Sequence, residues 1–163
     1  MTLSPERGLV DTNVVILLDD LDSGELPPEI LISSVTMAEL AAGPHYTDDS
    51  GERARRIERL QNAEALFEPL PFDTWAARRY GHIVAAVLAA GRSPKPRRID
   101  LLIAAIASTN RLPLFTVNPK DFAGLENLVT ISAVTHPDDR RQAARSSGNG
   151  SFQVGAGAAA QDV

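Results

Sequence analysis

The chain has 163 residues, a length that predicts one domain with its own core. Its formal charge is −5, from 21 acidic residues against 16 Lys and Arg, which argues against a large basic surface for nucleic acid. The absence of cysteine excludes disulfides and thiolate sites, and three widely spaced histidines argue against zinc. Neither a membrane span of roughly 18 apolar residues nor a signal-peptide pattern is found, so we expect a cytoplasmic protein.

Short apolar runs alternate with longer periodic ones along the chain. The short runs predict strands at 9–10, 30–33, 114–117 and 128–131, with a further extended piece at 69–72. The longer runs predict helices at 14–21, 35–43, 51–66, 73–91 and 99–107. This alternation favours an α/β fold with a mainly parallel sheet.

The composition changes near residue 138, where small and polar residues begin to predominate. A segment of this kind cannot bury a core of its own. We therefore predict a globular domain over residues 1–137 and a disordered C-terminal tail over residues 138–163.

The first candidate functional residue is Asp11, which ends the first predicted strand and precedes a helix. In open α/β sheets, ligands bind at the carboxyl ends of the strands. If Asp11 belongs to a site, further polar side chains must reach the same edge from later in the chain.

Two later acids are candidates, and each also has a purely structural explanation. Glu39 follows the second strand, but Thr36 and Glu39 also have the spacing of a capping box. Asp100 begins a helix that is otherwise apolar on nearly all sides, where a lone carboxylate would be costly. Alternatively, Asp100 is a first-turn acid that faces the helix dipole.

A further oxygen ligand is predicted after the strand at 114–117. Asn118 and Asp121 both follow this strand, and either could reach the edge at which Asp11 lies. The structural alternative is that Asn118 forms an Asx turn and Asp121 caps the turn after it.

Together, these residues form a set of oxygen ligands without histidine or cysteine. Such a set suits Mg²⁺, with Mn²⁺ as a substitute. Two such ions could activate a water and stabilise the leaving oxygen in phosphodiester hydrolysis. The carboxylates would then act first as ligands, and one of them or a metal-bound hydroxide would serve as the base.

The segments around these acids resemble the four motifs of the PIN-domain nucleases. In chain order, over residues 8–131, the motifs are Leu9-Val10-Asp11-Thr12-Asn13-Val14, Ser33-x-Val35-Thr36-x-Ala38-Glu39-Leu40, Asp100-x-x-Ile103-Ala104-Ala105 and Thr116-x-Asn118-x-x-Asp121-Phe122. The short single-domain form closely resembles the VapC-type toxins of type II toxin–antitoxin systems.

The resemblance implies a PIN-like three-layer α/β/α sandwich around a central, mainly parallel sheet of about five strands. It also implies a homodimer with Mg²⁺-dependent endoribonuclease activity on tRNA, rRNA or mRNA, inhibited by a cognate VapB-type antitoxin. By match to the motifs, Asp11, Glu39 and Asp100 take the main acidic positions. Asp121 is a further candidate catalytic acid, and Asn118 is an alternative metal ligand.

Two threonines and four arginines complete the candidates. Thr12 and Thr116 are predicted to donate hydrogen bonds to ligands or to substrate phosphate. No aromatic platform for bases is evident among the few aromatic residues. One predicted helix carries a run of arginines, interpreted as a solvated face, with an RNA-facing or partner-facing role as the alternative: Arg53, Arg55, Arg56 and Arg59.

A rival interpretation is a PIN-like module that binds RNA or protein with weak catalysis or none. Convergence of the carboxylates of Asp11, Glu39 and Asp100 to within a few ångströms in the structure would favour the enzyme, and divergence would favour the module. The surface for the antitoxin is predicted to include the helices at 14–21 and 51–66, because apolar helices near a site are suitable docking surfaces.

Overall fold

A computed structural model describes residues 5–148 of the chain. The strands are β1 (Arg7–Val10), β2 (Glu29–Leu31), β3 (Leu114–Thr116) and β4 (Ile131–Ala133). The helices are α1 (Thr12–Ile16), α2 (Ser34–Ala42), α3 (Ser50–Leu66), α4 (Thr74–Ala89), α5 (Arg98–Thr109) and α6 (Pro137–Gly148). Within the described range, no helix is long and apolar enough to cross a bilayer.

The strands form one parallel sheet in the order β2–β1–β3–β4. Leu9 of β1 is in register with Leu31 of β2 and with Leu114 of β3, so β1 lies inside the sheet. Residues 5–148 thus contain four strands where about five were predicted. The extended piece at 69–72 contributes a single parallel bridge, between Ser33 and Leu70.

Alternating residues of the central strands fill two separate cores. Leu9 and Leu114 belong to a core that α4 and α5 cover. Val10 and Phe115, the next residues along the same strands, belong to a second core with side chains from α1, α2 and α3. Because successive side chains of a strand point to opposite faces, the sheet is covered on both sides. This arrangement confirms the predicted three-layer α/β/α sandwich.

The last strand is displaced from its predicted position. It covers Ile131–Ala133 and not residues 128–131. The N–H groups of Leu128 and Val129 both donate to the carbonyl of Leu125, at 2.8 and 3.0 Å, so they belong to a turn. Val129 is apolar because it fills the core next to α5 from this turn. The prediction was wrong here because a buried turn and a buried strand have the same composition.

The first helix is shorter than its apolar run predicts. It ends at Ile16, and a 3-10 turn at Leu18–Asp20 replaces the expected continuation to residue 21. The N–H of Asp20 donates to the carbonyl of Leu17 at 2.8 Å, which tightens the chain at this point. The other predicted helices correspond to α2–α5 with ends that shift by no more than two residues.

Helix α6 occupies part of the segment that was predicted to be disordered. Pro137 is its first residue, and Asp138 and Asp139 lie in its first turn, where both residue types favour a helix N-terminus. Arg140 of this helix contacts Glu25, with Nη2 2.8 Å from Oε2. These local signals and the ion pair favour helix where composition alone predicts a tail. Residues 149–163 of the predicted tail lie outside the described residues.

Replacing Gly8 by alanine is expected to lower the free energy of unfolding by about 1–3 kcal/mol. A Cβ at this position would lie 2.3 Å from Cε2 of Phe115 and 3.0 Å from Cγ of Pro27, so the ring would have to move.

Gly81→Ala in α4 is the matched control, because its Cβ would meet nothing within 4 Å. Removing this helical glycine should stabilise the protein by about 0.5–1 kcal/mol. Urea unfolding measures both changes, and equal stability of the two variants would contradict the packing.

Candidate active site

Asp11 lies at the carboxyl end of β1, in the middle of the sheet. Its N–H donates to the carbonyl of Phe115 at 3.1 Å, and its side chain is the N-cap of α1, with Oδ1 accepting from the N–H of Val14 at 3.0 Å. The residue is 3% exposed. Burial raises the pKa of Asp11, and the charges of Glu39 and Asp121 raise it further.

Thr116 supports Asp11 from the neighbouring strand. Thr116 is fully buried at the end of β3, and its hydroxyl is placed to donate to Asp11, which lowers the pKa of that carboxyl. The same hydroxyl accepts from the N–H of Asn118 at 2.9 Å. Thr116 has no accessible surface, so of its two predicted roles the structure favours donation to a ligand residue, Asp11, over contact with substrate phosphate.

Glu39 lies within α2 and faces α1. The N-cap of α2 is Ser33, whose Oγ accepts from the N–H of Thr36 at 3.0 Å. The capping-box explanation of Glu39 is therefore wrong, because another residue caps this helix. The side chain of Glu39 instead accepts, through Oε1, the hydroxyl proton of Thr12.

A chain of hydroxyl groups leads to this carboxylate. Ser33 Oγ lies 3.2 Å from Thr36 Oγ1, which lies 3.1 Å from Thr12 Oγ1. Thr12 has one hydroxyl proton and an ionised Glu39 has none, so Thr12 donates to Glu39 and accepts from Thr36. Ser33 and Thr36 are fully buried. The chain thus fixes Glu39 from inside the protein and leaves its Oε2 free.

Asp100 lies in the first turn of α5, where the positive end of the helix dipole favours a carboxylate. Several surrounding groups work against the charged form. Burial, followed by the charges of Asp11, Asp121 and Glu39, raises the pKa of Asp100 to about 6, although Arg97 lowers it. The four acids therefore act on one another electrostatically.

Asp121 is held by an ion pair that the sequence did not predict. Arg97, just before α5, has its Nε 3.0 Å from Oδ1 of Asp121, which lies in the turn after β3. Arg92 holds the same turn, because its guanidinium donates to the carbonyls of Lys120 and Ala123, both at 2.9 Å. The sequence shows only a basic loop here, since the pairing depends on two segments that meet in the folded chain.

Asn118 occupies a different position from the four acids. Asn118 is exposed, and it precedes the turn Pro119–Phe122 without making a side-chain hydrogen bond that caps this turn. Asn118 and Asp121 both border a separate cleft. The predicted Asx turn is not formed, because the side chain of Asn118 accepts no hydrogen bond from the backbone of the turn that follows it. The backbone N–H of Asn118 donates to Oγ1 of Thr116. Of the two candidates for the fourth oxygen, Asp121 alone acts on the charges of Asp11 and Asp100.

Two of the four acids, Glu39 and Asp100, line a cleft of about 590 Å³. Thr12, Glu39 and Asp100 line one end of this cleft, and Tyr46 and Arg59 line another part of its wall. Within residues 5–148, no three acidic or histidine side chains are close enough to enclose a metal ion. The donor set still fits a hard cation, since all its ligands are oxygens and the mutual repulsion of the carboxylates favours a positive ion.

Known proteins resemble this chain over the region that holds all four acids. The sequence profile of the PIN domain matches residues 9–127. Ribonuclease VapC5 of Mycobacterium tuberculosis is 32% identical over 137 residues, which cover 82% of this chain and 98% of the relative. Ribonuclease VapC of Rickettsia bellii is 27% identical over 133 residues, which cover 76% of this chain and 94% of the relative.

A solved structure supports the same relationship. The crystal structure of VapBC-5, a member of the VapBC family of toxin–antitoxin systems from Mycobacterium tuberculosis, matches with a TM-score of 0.70 at 32% identity. The match covers 81% of this chain and 100% of the compared chain. The similarity in sequence and in fold confirms what the four motifs predict: this chain belongs to the PIN-domain family, as a VapC-type member.

Proposed function

We propose that this chain is the toxin of a type II toxin–antitoxin system and acts as a metal-dependent endoribonuclease. The observation that carries the proposal is the mutual electrostatic effect of the acids at one edge of the sheet, which helps to raise the pKa of Asp100 to about 6. Perturbed carboxylates that meet in a cleft are typical of functional sites. The names of the relatives, ribonucleases of the VapC type, support the same reaction.

Asp11, Glu39 and Asp100 are the residues that would hold Mg²⁺ or Mn²⁺. Asp121 is our choice for the fourth ligand, because its charge raises the pKa of both Asp11 and Asp100, whereas Asn118 is neutral and exposed. When bound, the ion supplies Lewis acidity toward the phosphodiester and toward the attacking water.

The residues around the acids orient them for this task. Thr12 donates to Oε1 of Glu39, and Oε2 of this glutamate accepts no hydrogen bond within residues 5–148, so that oxygen is available to a ligand. Asp11 is held more fully, by the N–H of Val14 at Oδ1 and by the hydroxyl of Thr116. The ion pair with Arg97 fixes the position of Asp121.

A VapB-type antitoxin is the protein partner that we propose, because the VapBC-5 structure is of a toxin–antitoxin system. Helices α1 and α3 border a groove of mixed apolar and charged residues that suits such a partner. Ile16 is 41% exposed and Leu66 is 74% exposed along this groove. A homodimer is the assembly that the family resemblance implies.

The alternative is a module that binds RNA or protein without useful catalysis. The placement of Glu39 and Asp100 in one cleft, with the charge of Asp11 acting on Asp100, favours the enzyme, because a binding module does not require acids that repel one another. Cleavage assays distinguish the two, since only the enzyme cuts RNA in a manner that depends on these carboxylates.

Asp100→Asn is expected to lower RNA cleavage by more than about 100-fold, because even changes behind a metal ligand cost 10–100-fold. The assay is cleavage of a total-RNA pool by purified protein with Mg²⁺, with Mn²⁺ or with EDTA. Asp20→Asn, at an exposed acid outside the cluster, is the matched control and should retain activity. Uncut RNA with folded, antitoxin-free wild-type protein, or full activity in EDTA, would overturn the proposal.

The metal-free protein is expected to lose stability as the pH rises from about 4 to about 6. The folded-state pKa of Asp100, about 6, lies above its ordinary value of 3.8, so the folded protein binds the proton more tightly and is penalised once the proton leaves. At pH 7.5 in EDTA, Asp100→Asn should therefore unfold with a free energy about 1–2 kcal/mol higher than wild type, after allowance for solvent screening.

The pH dependence is the control for this second variant. Urea unfolding at pH 4 should reduce the difference between the two proteins, because Asp100 is then mostly protonated in the folded wild type. A difference that is the same at both pH values would contradict the electrostatic origin of the effect.

A further inference from the structure

An exposed aromatic ring borders the cleft that holds the acids. Tyr46 ends the 3-10 turn Gly43–Tyr46, and 80% of its surface is exposed. It lines the same cleft of about 590 Å³ as Glu39 and Asp100. No such platform is evident from the sequence, because Tyr46 reaches this cleft only when α2 and α3 pack together.

The turn that carries Tyr46 is held by arginines of α3. Arg53 donates to the carbonyl of Thr47 at 2.7 Å, and Arg56 donates to the carbonyl of Gly43 at 2.8 Å. These bonds anchor the chain on both sides of the ring. Arg53 and Arg56 therefore hold this turn, and Arg53 remains exposed, as the predicted solvated face requires.

Arg59 brings a positive charge to the same cleft. It lies one turn beyond Arg56 in α3, and it makes no ion pair within the part of the chain that the structure describes. Ile16 and Ile99, 41% and 43% exposed, add apolar surface to the wall. The cleft thus combines a flat ring, an available cation and apolar sides, next to the acids.

We propose that Tyr46 and Arg59 form a subsite for one nucleotide of single-stranded RNA beside the bond that is cut. The ring of Tyr46 stacks on the base, and the guanidinium of Arg59 contacts a phosphate. The inference rests on the proposed function, because it takes the acids as the place of cleavage. It adds the binding mode and the strandedness of the substrate.

The size and chemistry of the cleft favour an unpaired nucleotide. A volume of about 590 Å³ lies within the range of about 300–1,000 Å³ typical of small-ligand sites, so one nucleotide fits. A base offers its face to a protein ring only when it is splayed out of a helix. Stacking of this kind tolerates every base, so the subsite selects unpaired RNA without reading its sequence.

Binding can be measured separately from cleavage in the Asp100→Asn protein with Mg²⁺, using a short fluorescein-labelled single-stranded RNA of mixed sequence. Tyr46→Ala in this background is expected to weaken the Kd about 5- to 100-fold, the equivalent of about 1–3 kcal/mol for one stacked base. Tyr46→Trp should restore binding, because it keeps a ring. Trp75→Ala removes an aromatic that is 71% exposed on α4 but does not line the cleft, and it should change nothing.

The contribution of Arg59 has its own readout. Loss of one phosphate contact with single-stranded RNA should reduce the slope of log Kd against log salt by about 0.7 in Arg59→Gln. Arg78→Gln, at an exposed arginine of α4 outside the cleft, is the matched control and should keep the slope.

Photocrosslinking of RNA that contains 5-iodouridine identifies the ring directly, because the reaction favours stacked aromatics. A crosslink to the peptide with Tyr46 supports the subsite. An unchanged RNA affinity of Tyr46→Ala would overturn the subsite. A Tyr46→Ala protein that loses binding to the antitoxin but still binds RNA would overturn it as well. The proposed function has a separate test, because it fails if Asp100→Asn still cleaves RNA. In that case the measured affinities of the Tyr46 variants would still decide whether the subsite binds RNA.

Discussion

Repulsion among carboxylates at one edge of a parallel sheet is the constraint on which the site depends. Asp11 is 3% exposed at the centre of this edge, and the charges of Asp11, Asp121 and Glu39 all act on Asp100. The sheet keeps the acids together because β1 and β3 are neighbours and their carboxyl ends coincide. A protein accepts such a local cost where function requires it, and a bound cation would remove it.

The contacts around the acids reduce this cost without removing the negative charge. Thr116 and the N–H of Val14 lower the pKa of Asp11, but both are neutral donors. The chain of buried hydroxyls that ends at Glu39 is neutral as well. Arg97, which pairs with Asp121, is the cation whose charge lowers the pKa of Asp100. The negative charge of the four carboxylates exceeds the positive charge of this guanidinium. The excess favours a bound cation, which agrees with a ligand set made of oxygens alone.

The sequence predicted the parts of the site that follow from local structure. Asp11 and Asp100 lie at a strand end and a helix start, and both junctions are visible in the hydrophobic pattern. Contacts between distant segments could not be predicted in the same way. The pairing of Arg97 with Asp121 and the approach of Tyr46 to the cleft depend on loops that meet only after folding. The position of β4 could not be predicted for a similar reason. The apolar residues just before this strand fill the core from a turn, and only the folded structure distinguishes such a turn from a strand.

The most direct test of this account is the titration of Asp100 by carboxyl ¹³C NMR, in wild-type protein with and without Mg²⁺. The account predicts a pKa of about 6 for Asp100 without metal, because burial and three neighbouring acids oppose its ionisation. Addition of Mg²⁺ should lower this pKa, since the cation favours the charged form. An Asp100 that titrates near its ordinary value of 3.8 in metal-free protein, or a raised pKa that Mg²⁺ leaves unchanged, would contradict the account.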